Sequence, residues 1–320
     1  MRKSDSTVLV TGGLGFIGCY VVRDLLARGW KVRAFDNCSR SDPASAAEVA
    51  ALHGVEIIQG DVRYANSVEE AVRGVEAVVH LAAVCINKSI ADPTESLDVN
   101  VMGTQNVLDA AAREGVSRFV YASSASVYGN PNSLPMRETD PPNPITPYCA
   151  AKLTGEYLLS FYAQRSNLSW LALRFFNVYG AGQSTDSYYT SVILSFLRRI
   201  AVGEPPLIDG RGDQSMDFVH VSDVARAVGD ALDSAATGQV LNVGTGEQTT
   251  ITQLAETLIQ LLGHNVRPQF RPREVLVSKR QADIGLIAEV LGWYPRIDLE
   301  EGLSTVVDAF KHSAEFADHR

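Results

Sequence analysis

The 320-residue chain predicts an α/β fold: a doubly wound, mostly parallel sheet covered on both faces, with a second, smaller α/β lobe toward the C-terminal end. Three observations carry this. Short β-branched apolar runs alternate with stretches of helical periodicity. The first run, "TVLVT", ends in glycines and leads directly into an amphipathic stretch. The strand candidates are apolar on both sides, as strands between two helical layers must be.

In order, "TVLVTGG" reads as a strand entering a tight turn, and "GCYVVRDLLARG" as a helix that stops at Gly29. "KVRAFD" and "VEIIQGD" are strands, "SVEEAVRG" a helix, and "EAVVHLAA" a buried strand. "NVMGTQNVLDAAAREG" is a helix and "RFVYASS" the next strand. The proline-rich polar stretch "PNSLPMRETDPPNPITP" is a loop; Thr146 as N-cap and Pro147 at the first helical position then open a helix to about Gln164. "SWLALRFFNVYG" is another buried strand. Beyond Ala181 the alternation weakens, but "MDFVHVSDVARAVGDALD" and "GQVLNVGTG" restore strand, helix and strand. Residues 1–179 are thus expected to form the first lobe, with a return at about 216–243; residues 180–215 and 244–320 form the second.

A hydrophobic fraction of 46 % supports a sizeable core, and a net charge of -9 without a Lys/Arg run gives no electrostatic reason to bind nucleic acid or an anionic membrane. Cys19, Cys38, Cys85 and Cys149 are too scattered for a tetrahedral metal site, so no metal is expected and a reducing cytoplasm suits the chain. Glycines interrupt the apolar stretch behind the basic N-terminal residues before a signal h-region forms, and no run approaches the roughly 20 apolar residues that span a bilayer. The sequon at Asn167 is accordingly expected to be a chance match.

In "TGGLGFIG" the glycines fall at Gly12, Gly15 and Gly18, between a strand and a helix. That spacing allows a tight turn and brings a pyrophosphate to the helix N-terminus, where N–H groups and the helix dipole favour an anion. A glycine triplet alone equally suits a structural turn; the strand–turn–helix context gives this one weight. Asp36 ends the second strand, where a carboxylate can accept hydrogen bonds from both ribose hydroxyls and repel a 2′-phosphate. NAD is therefore expected ahead of NADP, with Arg40 keeping NADP open. Asp61 in "GDV" ends the third strand, where it can meet the adenine amino group.

Tyr148 and Lys152 in "TPYCAAK" share a helix face one turn apart. An ammonium beside a phenol favours phenolate and draws its pKa down from about 10, which makes Tyr148 a candidate acid/base for a hydroxyl. On an arbitrary helix such a pair is ordinary; downstream of a dinucleotide turn it points to chemistry. "SSASVYG" at 123–129 follows a strand at the carboxyl edge of the sheet, where doubly wound folds bind ligands, so Ser124 can hydrogen-bond the reacting oxygen.

With these motifs the chain resembles the extended short-chain dehydrogenase/reductase family, and within it the NAD-dependent sugar-nucleotide epimerases and dehydratases. The resemblance covers nearly the whole chain through "TGGLGFIG", "FDN", "GDV", "HLAA", "NVMGT", "SSASVYG", "PYCAAK", "RFFNVYG", "DFVHVSDVA", "LNVGTG" and "LGWYP". It implies a Rossmann-type first lobe and a nucleotide-sugar lobe. It also implies that Gly12, Gly15, Phe16, Ile17 and Gly18 hold the pyrophosphate of NAD, that Asp36 and Asn37 hold the adenosine ribose, and that Asp61 and Val62 border the adenine. Leu81, Ala82 and Ala83 would line the cofactor strand, Phe176 would pack near the nicotinamide, and Asn177 would meet the substrate's diphosphate. Ser124, Tyr148 and Lys152 would form the catalytic triad, with Tyr148 and Lys152 also touching the cofactor. A homodimer through the helices of "NVMGTQNVLDAAA" and "PYCAAKLTGEYLLSFYA" is likewise implied, although their apolar stripes also suit packing on the sheet.

Relatives that eliminate water or carbon dioxide carry acidic residues after the catalytic Ser or Thr, where this chain has Ala125 and Ser126. Proton abstraction at C5 then has no evident agent. The Ser-Ala-Ser-Val-Tyr-Gly run is instead similar to that of the branch interconverting UDP-glucose and UDP-galactose. The expected reaction is C4 epimerisation of a UDP-hexose through a transient 4-keto sugar, with NAD tightly bound and regenerated each turnover.

Two departures bear on the sugar. Met216 stands where the family commonly has an arginine that grips the diphosphate, and Arg273 stands in place of a common glycine. Arg271, Arg273, Lys279 and Arg280 are candidate phosphate ligands, Arg280 foremost, although an arginine in the sugar pocket equally suits a carboxylate. UDP-glucuronate and a UDP-N-acetylhexosamine therefore stay open as substrates. So do NAD(P)H-dependent keto-sugar reduction and a non-enzymatic nucleotide sensor, which the intact Ser124, Tyr148 and Lys152 disfavour. Val192 in "YYTSVILSF" is placed either to touch the uracil or to pack in a core helix, and His80 and His220 are expected to be satisfied core histidines.

Overall fold

Thr7–Thr11 forms strand β1, and its central residues Val8, Leu9 and Val10 are wholly buried. Val8 and Val10 enter the core on one face and Leu9 the core on the other, the two-residue alternation of a strand held between helical layers. The computed structural model describes residues 6–183, 192–272 and 279–312. Its further strands are β2 (Lys31–Asp36), β3 (Val55–Gln59), β4 (Ala77–His80), β5 (Arg118–Ser124), β6 (Ser169–Phe175), β7 (Asn177–Tyr179), β8 (Leu207–Asp209), β9 (Ser215–Met216), β10 (Phe218–His220), β11 (Gln239–Val243), β12 (Thr249–Thr250) and β13 (Gln269–Arg271). Its helices are α1 (Phe16–Ala27), α2 (Pro43–Ala50), α3 (Ala65–Val72), α4 (Ile86–Ala91), α5 (Pro93–Leu97), α6 (Thr104–Glu114), α7 (Pro147–Ala163), α8 (Val192–Ala201), α9 (Val221–Asp233), α10 (Ile251–Leu262), α11 (Gly285–Leu291) and α12 (Leu299–Lys311).

Seven strands form the central sheet in the order β11-β6-β5-β4-β1-β2-β3, every pairing parallel. This is the Rossmann-type order 3-2-1-4-5-6 with one strand added, and its switch point lies between β1 and β4. On one face Val21, Val22 and Leu25 of α1 pack with Val224, Ala227 and Val228 of α9, and Ile287 and Trp293 join the same core. On the other, Val68 and Val72 of α3, Val107 and Leu108 of α6 and Leu159 of α7 close over Leu9, Phe119 and Tyr121. A third core forms among α8, α10 and α12, where Phe196, Leu254, Leu258, Val306 and Phe310 meet Tyr179 and Phe218.

Two elements differ from the sequence expectation. The segment "SWLALRFFNVYG" is two strands rather than one. The Phe176 N–H still donates to the Val243 carbonyl beside the main sheet, but the Asn177 N–H turns to the Asp217 carbonyl, and β7 pairs with β10. This change of hydrogen-bond partner brings Phe176 and Asn177 to the cavity wall. The helix expected from "NVMGT" onward begins as a π-helical turn, Asp98–Gly103, before α6. Within that turn Asn100 is buried and engages the Val84 backbone, its Oδ1 accepting the N–H and its Nδ2 donating to the carbonyl.

Candidate active site

A cavity of about 870 Å³ opens at the carboxyl ends of β1, β2, β4, β5 and β6. Its floor is the turn after β1. Gly12 there has φ 70, and a Cβ would lie 2.8 Å from the Ala82 backbone nitrogen, so only glycine lets the turn and the residues after β4 approach this closely. Gly15 caps α1 without a side-chain acceptor, which leaves the first-turn N–H groups facing the cavity. Asp36 closes the turn: its Oδ2 accepts the Leu14 N–H at 3.0 Å and its Oδ1 the Cys38 N–H at 2.8 Å. Each carboxylate oxygen keeps a lone pair for a ribose hydroxyl.

Further along, Asp61 accepts from Arg63 Nε at 3.0 Å and Nη2 at 2.7 Å, and from Asn37 Nδ2 at 2.8 Å. Burial works to raise its pKa, but these hydrogen bonds prevail and hold it at about 2. The carboxylate is therefore an ionised acceptor at every ordinary pH. The Arg63 clamp went unread in the sequence; its one signal there was an arginine two residues after Asp61.

The catalytic candidates come from two elements. Thr146 Oγ1 accepts the Cys149 N–H at 3.3 Å and Pro147 occupies the first turn, which fixes where α7 starts and so where Tyr148 and Lys152 point. Both line the cavity, with Lys152 Nζ 5.7 Å from the centre of the Tyr148 ring. Gly155 brings α7 down on β5, since a Cβ there would lie 2.3 Å from the Tyr121 hydroxyl. Lys152 is consequently buried, donates to the Ala122 carbonyl at 2.7 Å, and has its amine pushed down to about 7 by desolvation. Ser124 ends β5 in an extended conformation, and its hydroxyl oxygen accepts the Ser126 N–H at 3.2 Å.

Behind these residues lies a buried cluster with little local signature. Arg174 Nε and Nη2 donate to Glu156 Oε1 and Oε2 at 2.9 and 2.7 Å, and Ser123 Oγ donates to Oε1. The three residues tie α7 to β5 and β6. The available signal was Glu156 itself, a carboxylate on the same helix face as Lys152. Asp217, wholly buried, accepts from Thr245 N and Oγ1 at 2.7 Å, Gly246 N at 2.9 Å and Ala282 N at 3.0 Å. It joins β10 to residues 244–246 and 282, and nothing in "MDFV" announces that role.

Of the residues named from the sequence, Gly12, Gly15, Phe16, Ile17, Gly18, Asp36, Asn37, Asp61, Val62, Leu81, Ala82, Ala83, Ser124, Tyr148, Lys152, Phe176, Asn177 and Arg280 line this one cavity, with Arg40 and Met216. Val192 does not; it packs against the third core. Arg271 is an exposed ion-pair partner of Asp209, Lys279 is exposed, and Arg273 lies outside the described residues. His80 is satisfied as expected: Nδ1 meets Thr11 Oγ1 at 2.6 Å and Nε2 meets Thr104 Oγ1 at 3.0 Å, and burial, aided by Lys152, pushes its pKa down to about 3. His220 corrects the expectation. Its Nδ1 accepts the Ser222 N–H as a helix cap, its ring packs edge-on against Tyr179, and among the described residues its buried Nε2 meets no hydrogen-bond partner. Among the described residues no helix is long and apolar enough to cross a membrane, and no group of three or more His, Cys, Asp or Glu side chains is placed to hold a metal ion.

A nicotinamide dinucleotide is the ligand that the glycine cradle, the open N-terminus of α1 and the carboxylate ending β2 fit together, which makes this a dinucleotide-dependent enzyme of the doubly wound class. More narrowly, the chain belongs to the NAD dependent epimerase/dehydratase family, whose model matches residues 8–244. It is 33% identical over 316 residues to the UDP-glucose 4-epimerase of Mycolicibacterium smegmatis, covering 96% of this chain and 99% of that one. Its fold matches the crystal structure of a UDP-glucose 4-epimerase from Thermotoga maritima with UDP-glucose, at a TM-score of 0.88 and 34% identity, covering 95% and 98% of the two chains. It also matches a UDP-glucuronic acid 4-epimerase from Bacillus cereus in complex with UDP-glucuronic acid and NAD, at a TM-score of 0.88 and 27% identity, covering 95% and 99%. The protein is an NAD-dependent epimerase by family, and NAD is its cofactor.

Proposed function

We propose that the protein inverts C4 of a UDP-hexose of the UDP-glucose/UDP-galactose type. The observation that carries this reading is the convergence of Tyr148, Lys152 and Ser124 on the cavity that holds the glycine turn and Asp36. When bound, NAD supplies the hydride acceptor and donor for the sugar carbon. Tyr148 Oη takes the proton of the C4 hydroxyl and later returns it. The Ser124 hydroxyl hydrogen-bonds the same sugar oxygen and holds it toward the phenol. Lys152, buried with an amine near neutrality, favours the phenolate when protonated. Asn177 meets the diphosphate. Ala125 and Ser126 carry no carboxylate, which favours return of the hydride over elimination.

The same reading includes a nucleotide-sugar lobe built on the third core, from residues 180–215 and 244–320, beside an NAD-binding lobe of residues 1–179 with the return at about 216–243. It also includes a cytoplasmic location, suited to the free cysteines, and a homodimer through α6 and α7. Tyr157 and Phe161 stand exposed on α7, and Met102 on the turn leading into α6. Sedimentation as a monomer at micromolar concentration would contradict the dimer. The function is tested by incubating NAD-loaded protein with UDP-glucose, UDP-glucuronate and UDP-N-acetylglucosamine and following C4 inversion by NMR. Turnover without added NADH is expected, and Tyr148→Phe should lower it by at least about 100-fold; dependence on stoichiometric reductant would make the protein a reductase instead.

A further inference from the structure

We propose that Asp217 is a positioning residue for the substrate side of the cavity: without touching a ligand, it sets where Asn177 and Arg280 stand, and so how tightly the UDP part of the substrate is held. That role rests on the UDP-hexose reading above and names the residue that organises its substrate-binding wall.

Asp217 does not line the cavity, but three residues that do, Met216, Asn177 and Arg280, are tied to it. Met216 precedes it in the chain. Asn177 is held twice by the Asp217 carbonyl, which accepts its backbone N–H at 3.0 Å and its Nδ2 at 3.2 Å. The second Nδ2 hydrogen is left for a ligand. Arg280 lies in a segment anchored at two points: its own N–H donates to the Ser215 carbonyl at 2.9 Å, and two residues on the Ala282 N–H donates to Asp217 Oδ2 at 3.0 Å. Between them Gln281 Nε2 donates to the Gly246 carbonyl at 2.8 Å, and the Gly246 N–H donates back to Asp217 Oδ2 at 2.9 Å. The Thr245 N–H and hydroxyl fill Oδ1, each at 2.7 Å.

This circuit has no slack. Asp217 is wholly buried, and burial pushes its pKa up while the four donors pull it down. A carboxylate is the side chain of this size that can accept from all four at once. Gly244 closes the space behind it, since a Cβ there would lie 2.7 Å from the Ala282 Cβ and 2.9 Å from Asp217 Oδ2. The groups bonded to Asp217 do not include the glycine turn, Asp36 or Asp61. Its loss therefore moves the wall that carries Asn177 and Arg280 and spares the cofactor cradle. A merely structural carboxylate would weaken both halves together.

The test uses wild type, Asp217→Asn and Thr245→Val. Asparagine keeps the size, but in either orientation its NH2 meets two of the four donors; Thr245→Val removes one donor and keeps the carboxylate. Calorimetry measures the affinities for NAD and for UDP, and kinetics on NAD-loaded protein measures kcat and KM for whichever of UDP-glucose, UDP-glucuronate and UDP-N-acetylglucosamine wild type turns over. Asp217→Asn should weaken UDP binding and raise KM by roughly ten-fold or more, because buried donors lose their acceptor and the wall shifts. NAD affinity and kcat should stay within about three-fold, and Thr245→Val should show the same selective loss in smaller measure. Unchanged UDP affinity in Asp217→Asn would overturn the inference, and so would NAD and UDP affinities that fall in parallel. If Asp217→Asn does not fold, Thr245→Val and Gly244→Ala, which presses on Ala282 from the other side, decide by the same comparison. Should wild type bind UDP but turn over none of the three sugars, the epimerase reading falls while the UDP affinities still decide Asp217. A wild type that does not bind UDP would overturn the role of Asp217 as well.

Discussion

The buried pair of Arg174 and Glu156 invites a double-mutant cycle. Their side chains are 6% and 7% exposed and meet in a two-point pair, and Arg174 also lies 4.7 Å over the Tyr128 ring. Glu156→Leu leaves the guanidinium with only the Glu138 carbonyl at 3.4 Å as acceptor, and Arg174→Met leaves a carboxylate with only Ser123 as donor, among the described residues. Removing one member of a buried pair typically costs about 3–5 kcal/mol, whereas replacing both with apolar groups is often close to neutral. Each single variant should therefore lose roughly 3–5 kcal/mol, and the double variant no more than about 2, once the Tyr128 contact is counted. The assay is urea unfolding of all four proteins followed by far-UV circular dichroism. A coupling below about 0.5 kcal/mol would refute the reasoning, since that is the scatter of independent sites. Because the pair joins α7 to β6, and Glu156 also holds Ser123 of β5, the single variants should also lose turnover at saturating substrate when Tyr148 shifts relative to Ser124.

Two further perturbations test the cofactor cradle and the buried amine. A Cβ at Gly18 would lie 2.1 Å from the Gly12 carbonyl oxygen and 2.8 Å from the Gly13 backbone. Gly18→Ala must open the turn, so it should purify with little bound NAD and show at least a ten-fold weaker NAD affinity by titration; wild-type NAD content would contradict this. Burial depresses the Lys152 amine from 10.5 to about 7. Between those values the unfolded chain holds a proton that the fold does not, so this group makes stability rise with pH, at up to about 1.4 kcal/mol per pH unit. Lys152→Met should flatten the rise of unfolding free energy between pH 7 and 9.5, and parallel curves for variant and wild type would show that the amine titrates normally.

Much of the site was legible because its signals are local. A glycine spacing, a carboxylate at a strand end and a tyrosine four residues before a lysine are each read over one turn of chain, and all line the same cavity. The break after Phe175 was not legible: residues 169–180 are apolar or aromatic at most positions, enough for one strand, and the Val243 and Asp217 carbonyls decide where one ladder ends and the next begins. Val192 was left open between pocket and core for a related reason, since an apolar residue on an amphipathic helix serves either equally well until its neighbours are known, and here they are those of the third core.

By itself the sequence determined the order of elements, the two-faced burial of the strands and the chemical identity of the cradle and the YxxxK pair. Period, capping and turn conformation act between residues a few positions apart, so they survive in a linear reading. The tertiary structure alone decided which charges are answered and which are left open. Asp217 finds a donor 65 residues away and Arg174 is matched by Glu156 of α7, while Arg280 reaches the cavity with no acceptor among the described residues. A charge's partner is set by distance in space and by the water excluded around it, and neither is written in the spacing of residues along the chain.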